Sequence, residues 1–402
     1  MKEGFDIYGY PAKLESALRN LRQADISERN KELVLRFKDY LFIQGISIPR
    51  IIRYVSTFVI FSKKMGVDFD KATKEDIERL LSFIQQNNYS PHTRQTYKCF
   101  IKRFYKWLLG EDKNYPELVS WIKIGIKESE LTKPCEDEML TEEDIIKVIN
   151  AADNLRDKAF VAMLFETGSR IGELLTLQIF NVDFDENGAL VTLKGKTGTR
   201  RIRIVWSTRY LMNWLETHPL KNDNKSPLWI GLGYRNRKSF IKYDGARKVL
   251  RILFKKAEIK KRNNPHIFRH SKATLMARYL TEFQMNQYFG WKQGSDMPAT
   301  YVHMSSRDLD DAIFNMNGIK SIKKEEAPMK PKKCPRCETI NKPDSKYCYK
   351  CAAFLDITEM INKENEKRIK NEQEQKGNDM MSLILSDPEI QRIIKEKLAQ
   401  LH

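Results

Sequence analysis

Between residues 28 and 112 apolar side chains return every three or four positions. Leu33, Val34, Phe37, Tyr40 and Leu41 share one helical face, and Ile51, Ile52, Val55, Phe58 and Val59 share another. Thr73, followed three residues later by Asp76, has the form of a capping box, with Ile77, Leu80, Leu81 and Ile84 as the stripe behind it. Ser90-Pro91 is a helix cap and first-turn pair, and the helix it opens carries Tyr97, Phe100, Ile101, Phe104, Tyr105 and Leu108 before Gly110 stops it. The pattern predicts an all-helical domain over 28–112, preceded by an N-terminal segment, 1–27. Periodicity fades over 113–139, where Pro116, Pro134 and mixed charges predict a linker. A second domain, 140–318, opens at Thr141 with two helices running up to Gly168. Short strands follow at Val182–Phe184, Leu190–Leu193 and Arg201–Val205, turning at Gly188 and Gly198. Helical patterns return over Tyr243–Ala257 and Phe268–Met316. The expected fold is mainly α, with a small antiparallel β-hairpin sheet inside a mixed α+β domain.

Composition narrows the function. The chain has 402 residues, a net charge of +18, 41% hydrophobic and 10% aromatic residues, enough for real cores and too many for a wholly disordered tail. No apolar run approaches the roughly 20 residues that cross a bilayer. The opening Met1-Lys2-Glu3-Gly4-Phe5-Asp6 has mixed charge where a signal peptide needs an apolar core. A soluble cytoplasmic protein is therefore expected. From Leu190 to His270 there are 21 Lys and Arg against four acids, so nearly the whole surplus sits in one fifth of the chain. Such a block suits a nucleic acid, whose condensed counterions are released as phosphates are neutralised. His92, Arg94, Lys98 and Lys102 beside the aromatic stripe, and Arg200 and Arg201 in the basic block, are candidate DNA contacts; a solvated face fits the first four equally well.

Four short motifs lie in the second domain: Thr167-Gly168-Ser169-Arg170-Ile171-Gly172-Glu173, Lys194-Gly195-Lys196-Thr197-Gly198, His266-Ile267-Phe268-Arg269-His270, and Gly290-Trp291 followed by Pro298-Ala299-Thr300-Tyr301-Val302-His303. Each alone has a plain structural explanation. Gly195-Lys196-Thr197 is not the end of a phosphate-binding loop, since the required earlier glycine is replaced by Leu190. His266 and His270 have helical metal spacing, but position 267 is Ile, so no HExxH exists.

Together, in identity, order and approximate spacing, the four motifs resemble the tyrosine recombinase (phage-type integrase, Xer-like) family. The resemblance covers residues 28–318 and implies a helical core-binding domain followed by a catalytic domain. Trp291 stands where His is commoner in that family. The implied function is a site-specific DNA recombinase or integrase that cleaves and rejoins duplex DNA through a covalent 3′-phosphotyrosine, as a homotetramer on two duplexes bearing specific target sites. Tyr301 is the expected nucleophile. Arg170 and Arg269 clamp the non-bridging oxygens, and Trp291 donates a hydrogen bond. His266 serves as base or phosphate contact, and Lys196, with Lys194 as runner-up, is the acid for the leaving oxygen. Glu173 supports the first arginine, while His270 and His303 are expected to be structural neighbours. No metal or nucleotide is expected in the chemistry. Two rivals remain: a catalytically silent DNA-binding regulator and a type IB topoisomerase-like activity.

Cys334-Pro335-Arg336-Cys337 and Cys348-Tyr349-Lys350-Cys351 place two CxxC knuckles ten residues apart. Four such thiolates suit one structural Zn2+ in a zinc ribbon over 330–356, and a cytoplasmic setting disfavours disulfides. A charged, amphipathic helical tail is expected over 357–402; ribbon and tail are candidate sites for a protein partner.

Overall fold

The computed structural model describes residues 5–302 other than 112, 128, 129, 131–135 and 234–238, together with 313, 316, 332–334, 336, 337, 339–341, 345, 347–353 and 355. The expected tail, 357–402, and His303 lie outside the described residues. The chain divides into two units, Met1–Ile204 with Tyr210–Asp310, and Val205–Arg209 with Asp311–His402.

The first unit begins with α1 (Tyr10–Gln23), α2 (Glu28–Ile43), α3 (Ile48–Met65), α4 (Lys74–Gln86), α5 (Pro91–Leu108) and the single turn α6 (Glu117–Ser120). Side chains start three of these helices. Ser27 accepts from the Asn30 N–H, Thr73 and Asp76 form the reciprocal capping box, and Ser90 accepts from the Thr93 N–H. The apolar stripes meet in an aromatic core, where Tyr54 stacks on Phe100 with centroids 3.7 Å apart and Phe37 meets Phe104 edge-on at 5.1 Å. Each such pair adds about 0.5–1.5 kcal/mol beyond area burial. The expected N-terminal segment contains α1, whose Ala17 and Leu21 are buried in that same core with Leu14 and Leu18 packed against it. Ahead of α1, Ile7 O accepts from the Tyr243 N–H at 2.9 Å and Phe5 stacks on Phe240 at 5.0 Å. The N-terminal strap thus ties the helical layer to the α/β part of the unit.

The α/β part holds α7 (Glu142–Asn150), α8 (Leu155–Thr167), α9 (Ile171–Leu175), β1 (Val182–Asp185), β2 (Gly188–Gly195), β3 (Gly198–Ile204), α10 (Thr208–Glu216), α11 (Tyr243–Lys256), α12 (Pro265–Met276), α13 (Glu282–Phe289) and α14 (Met297–Val302). The strands form an antiparallel sheet in the order β1-β2-β3, in which Val191 faces Val182 on one side and Ile202 on the other. Alternation buries Ala189, Val191 and Leu193 and leaves Lys194 exposed.

The mainly helical fold with a small antiparallel sheet inside the α/β part is as predicted. Two local expectations need correction. Helix α10 lies in a stretch given no element, although Leu211 and Trp214, three residues apart, are both buried. The helical patterns expected from Phe268 are α12, α13 and α14 as far as Val302, but α12 starts earlier, at Pro265, because Asn264 accepts from the Ile267 N–H, and Gly290 at φ 60° stops α13. Among the described residues no helix is long and apolar enough to cross a membrane.

In the second unit β4 (Lys332–Lys333) and β5 (Ile340–Asn341) pair antiparallel, and the Cys334 N–H donates to Thr339 O at 2.9 Å.

Candidate active site and candidate metal centre

Arg269 is the buried centre of the α/β part. It sits on α12 with 6% exposure, donating from Nη1 to Gly168 O at 2.9 Å and from Nη2 to Phe289 O at 2.7 Å. Those carbonyls close α8 and α13, so two helix C-termini present their negative ends to one cation. Its guanidinium also lies 5.1 Å from the Phe289 ring centroid and 5.3 Å from that of Trp291. Burial, and then the neighbouring Arg170 charge, lower its pKa to about 10, still cationic at neutral pH. Gly168 is what allows the approach: it turns left-handed at φ 52°, and a Cβ there would lie 2.6 Å from Phe289 Cε1.

Arg170 caps α9, 36% exposed at its side chain, and Glu173 one turn later folds back onto it. Glu173 accepts from the Arg170 N–H at 3.0 Å and from Arg170 Nη1 at 3.0 Å, and also from Arg200 Nη2 at 2.7 Å. Desolvation would raise the Glu173 pKa; the Arg200 and Arg170 bonds outweigh it and hold the carboxylate ionised. One carboxylate therefore serves two arginines. Lys196 and Thr197 form the two-residue turn between β2 and β3, both exposed, and Thr197 Oγ1 donates to Gly290 O at 2.9 Å.

Tyr301, on α14, is 2% exposed and packs in its own chain. Its ring stacks on Trp291 with centroids 5.5 Å apart and planes 4° off parallel, and Trp291 stacks in turn on Phe289 at 4.8 Å. The Tyr301 hydroxyl lies 2.7 Å from His270 Nδ1. Burial raises the Tyr301 pKa, with Arg269 pulling the other way. Burial lowers the His270 pKa, helped by His266 and Arg269, so its ring is neutral at pH 7 and able to accept the phenolic proton. His266, one turn earlier, opens to solvent; partial desolvation and the Arg269 and Arg170 charges lower its pKa as well. Arg170, Arg269, Trp291 and Tyr301 thus come together with Glu173, as the motifs suggested, while the tyrosine's polar partner is His270 rather than His266. Positions 266 and 270 share a helix face, and the packing of α14 turns 270 towards the tyrosine.

Residues 138–307 match the phage integrase family. That span is the part of the chain that is similar to phage integrases. The chain is 26% identical over 295 residues to the tyrosine recombinase XerA of Pyrococcus horikoshii, covering 73% of this chain and 96% of the relative. It is 27% identical over 307 residues to XerA of Saccharolobus solfataricus, covering 73% and 95%. Among solved structures it is similar to the XerH site-specific recombinase bound to palindromic difH substrate (TM-score 0.56, 18% identity, 78% of this chain and 91% of that one). It is also similar to a lambda integrase dimer bound to a COC′ core site (TM-score 0.51, 15% identity, 73% and 79%). These likenesses establish the fold of the integrase domain and of the helical layer before it.

Two of the six candidate DNA contacts are corrected. Lys102 is buried, its Nζ donating to Ser120 O at 3.1 Å and Ile122 O at 3.2 Å and lying 4.3 Å from the Tyr115 ring. Its ammonium is consumed inside the fold. Arg200, 10% exposed at its side chain, is held within the integrase domain by Glu173 and by Tyr288 O. Arg94 is partly buried against Glu130 at 3.2 Å, Arg201 is exposed beside Asp183 at 3.2 Å, His92 is exposed and Lys98 half-buried.

In the second unit the thiols of Cys334, Cys337, Cys348 and Cys351 lie within 4.8 Å of one another, a set able to hold a metal ion. Cys334 and Cys348 are buried; Sγ–Sγ separations of 3.5 Å join Cys334 to Cys351 and Cys337 to Cys348. Four soft sulfur donors at this spacing, too far apart for disulfide bonds, suit a closed tetrahedral Zn2+ site.

Proposed function

We propose that this protein is a site-specific DNA recombinase that cuts and rejoins duplex DNA through a 3′-phosphotyrosine intermediate. One observation carries the reading: the Tyr301 hydroxyl, in its own chain, contacts His270 while its ring lies on the tryptophan that covers Arg269. Tyr301 Oη attacks phosphorus and its proton passes to His270 Nδ1; the bond from phosphorus to the 5′ oxygen breaks, and Lys196 protonates that oxygen. The phosphodiester energy is kept in the tyrosyl ester, so a 5′-hydroxyl from another strand can reverse the step without an external energy source. Arg170 and Arg269 stabilise the negative charge spread over the non-bridging oxygens, His266 contacts the phosphate, and the Trp291 N–H adds a donor that cannot titrate. Lys196 is preferred to Lys194 because its neighbours Gly195 and Thr197 lie against Glu173 and Gly290, whereas Lys194 is on the outward face of β2.

His92, Lys98 and Arg201 are the candidate phosphate contacts left on the surface. The protein is proposed to work as a tetramer on two duplexes in the nucleoid, with the second unit closed by one Zn2+. A chelator-sensitive content of about one Zn2+ per chain, lost in Cys337→Ser, tests that assignment.

A nicked suicide duplex carrying a target site tests the reaction. The native chain is expected to form a covalent protein–DNA adduct and Tyr301→Phe none. An adduct from Tyr301→Phe, or none from the native chain on DNA that it binds, overturns the reading. Relaxation of supercoiled DNA by a monomer without recombinant product would move it to a topoisomerase.

A further inference from the structure

Arg200 is the residue in which three parts of the integrase domain meet. It lies on β3 opposite Leu193, two pairs before the Gly195–Gly198 pair that closes the lysine turn. From there its side chain reaches Glu173 on α9 through Nη2 at 2.7 Å, and the Tyr288 carbonyl near the end of α13 through Nε at 2.9 Å. Thr197, inside the turn, adds a bond from Oγ1 to Gly290 O at 2.9 Å, next to Trp291.

Two glycines make room for this arrangement. A Cβ on Gly195 would collide with Glu173 Oε1, and a Cβ on Gly290 would lie 2.9 Å from Arg200 Nη1. The Lys-Gly-Lys sequence is thus explained on one side by the Glu173 carboxylate that the hairpin rests on. We infer that Arg200 is a positioning residue for Lys196: with Glu173, it docks the hairpin against the Arg170 helix and the Trp291 loop, so that the ammonium stands where the 5′ oxygen departs.

A two-residue turn exposed to solvent has little of its own to hold it; each residue it orders costs roughly 1–2 kcal/mol of backbone entropy. The tethers supply that order. Arg200 is too enclosed to lie along a DNA backbone, and its Nη2 and Nε are already committed to Glu173 and Tyr288 O. Its effect therefore passes through the hairpin.

The inference rests on Lys196 being the general acid, and a leaving-group substitution separates the two claims. A thiol ionises near pH 8.5, far more readily than an alcohol, so a 5′ sulfur at the scissile position departs without a proton donor. Single-turnover adduct formation by the full chain is measured on matched suicide duplexes with 5′ oxygen or 5′ sulfur, alongside non-covalent DNA binding and the melting temperature. Lys196→Ala is expected to lose about 10²–10³-fold on oxygen and to return to within about threefold of native on sulfur. Arg200→Ala should reproduce that pattern with about 10²-fold loss on oxygen, while Arg170→Ala stays impaired on both.

Equal impairment of Arg200→Ala on both substrates, with Lys196→Ala rescued, overturns the inference and makes Arg200 a direct stabiliser of the phosphate. Failure of sulfur to rescue Lys196→Ala overturns the assignment of the acid, and the inference with it. Should Arg200→Ala not fold, Arg200→Lys and Thr197→Val carry the test, since each keeps the charge or volume and loses tethers. The sulfur-rescued pattern in either supports the inference; impairment alike on both substrates, or native rates on oxygen in both variants, overturns it.

Discussion

In the helical layer Lys102 is buried with its ammonium on the carbonyls of Ser120 and Ile122; in the integrase domain Arg269 is buried with its guanidinium on the carbonyls of Gly168 and Phe289. The local chemistry is the same, a desolvated cation satisfied by main-chain oxygens near helix ends. What surrounds them differs. Lys102 shares the Tyr115 face with Lys106, whose ammonium lies 5.5 Å from that ring and donates to Lys113 O, whereas Arg269 shares its neighbourhood with two further cations, Arg170 and Arg200, around the single carboxylate of Glu173. A compact ammonium has three donors, of which two are bound here; a guanidinium has five, so Arg269 keeps N–H groups for a ligand. Burial alone therefore does not mark a functional cation. Cations gathered in excess of the one carboxylate among them do, because an arriving anion relieves the repulsion that remains.

The largest test of this comparison replaces each cation. Arg269→Ala is expected to slow adduct formation about 10³-fold, since it removes donors aimed at the transition-state oxygens. Lys102→Met should cost about 1–3 kcal/mol in urea unfolding by orphaning two carbonyls, yet leave the rate within about twofold. A comparable rate loss in Lys102→Met would break the distinction.

Acid provides the next. His218, His266 and His270 all belong to the α/β part, and desolvation lowers each pKa from an ordinary value of 6.5. The unfolded chain then binds more protons than the folded one, so stability present above pH 6.5 is lost as pH falls towards the depressed folded values. On acidification from about pH 8 to pH 5, α12 is expected to lose protection from proteolysis before α3, and His270→Gln should lessen the loss. Adduct formation should fall over the same window as His270 loses its accepting nitrogen. Earlier opening of α3 would contradict the comparison.

The smallest effect belongs to the helical surface. Lys98→Gln is expected to weaken DNA binding uniformly across sequences and to reduce the slope of log K against log salt by about 0.9, one phosphate's worth. An unchanged slope would leave the surface of α5 with no part in binding.

Much of this was legible in one dimension. Capping pairs such as Thr73–Asp76 and Thr141–Asp144 act over three residues, so their helix starts could be read directly. The strand turns followed from Gly188 and Gly198, which adopt φ of 130° and 115°. The site motifs were visible as ordered residue types. Hidden were the roles that depend on direction. Lys102 and Lys98 lie four apart on one helix and read alike, yet one faces α6 and is swallowed. Arg200 and Arg201 are adjacent on β3, and strand alternation sends the first inward to Glu173 and the second outward to Asp183. That His270 rather than His266 meets the Tyr301 hydroxyl was hidden too, because no local rule says where α14 packs.

The order of the helices and strands, the basic excess and the identities of the arginines, tyrosine and thiols were set by the sequence itself, since they depend on composition and on interactions a few residues long. Which cations are spent inside the fold, which histidine holds the tyrosine, and why Gly195 and Gly290 carry no side chain were decided only in the tertiary structure. Those outcomes depend on contacts between residues about 20 to 100 positions apart, such as Lys102 with Ile122, His270 with Tyr301 and Arg269 with Gly168, whose proximity no local pattern encodes.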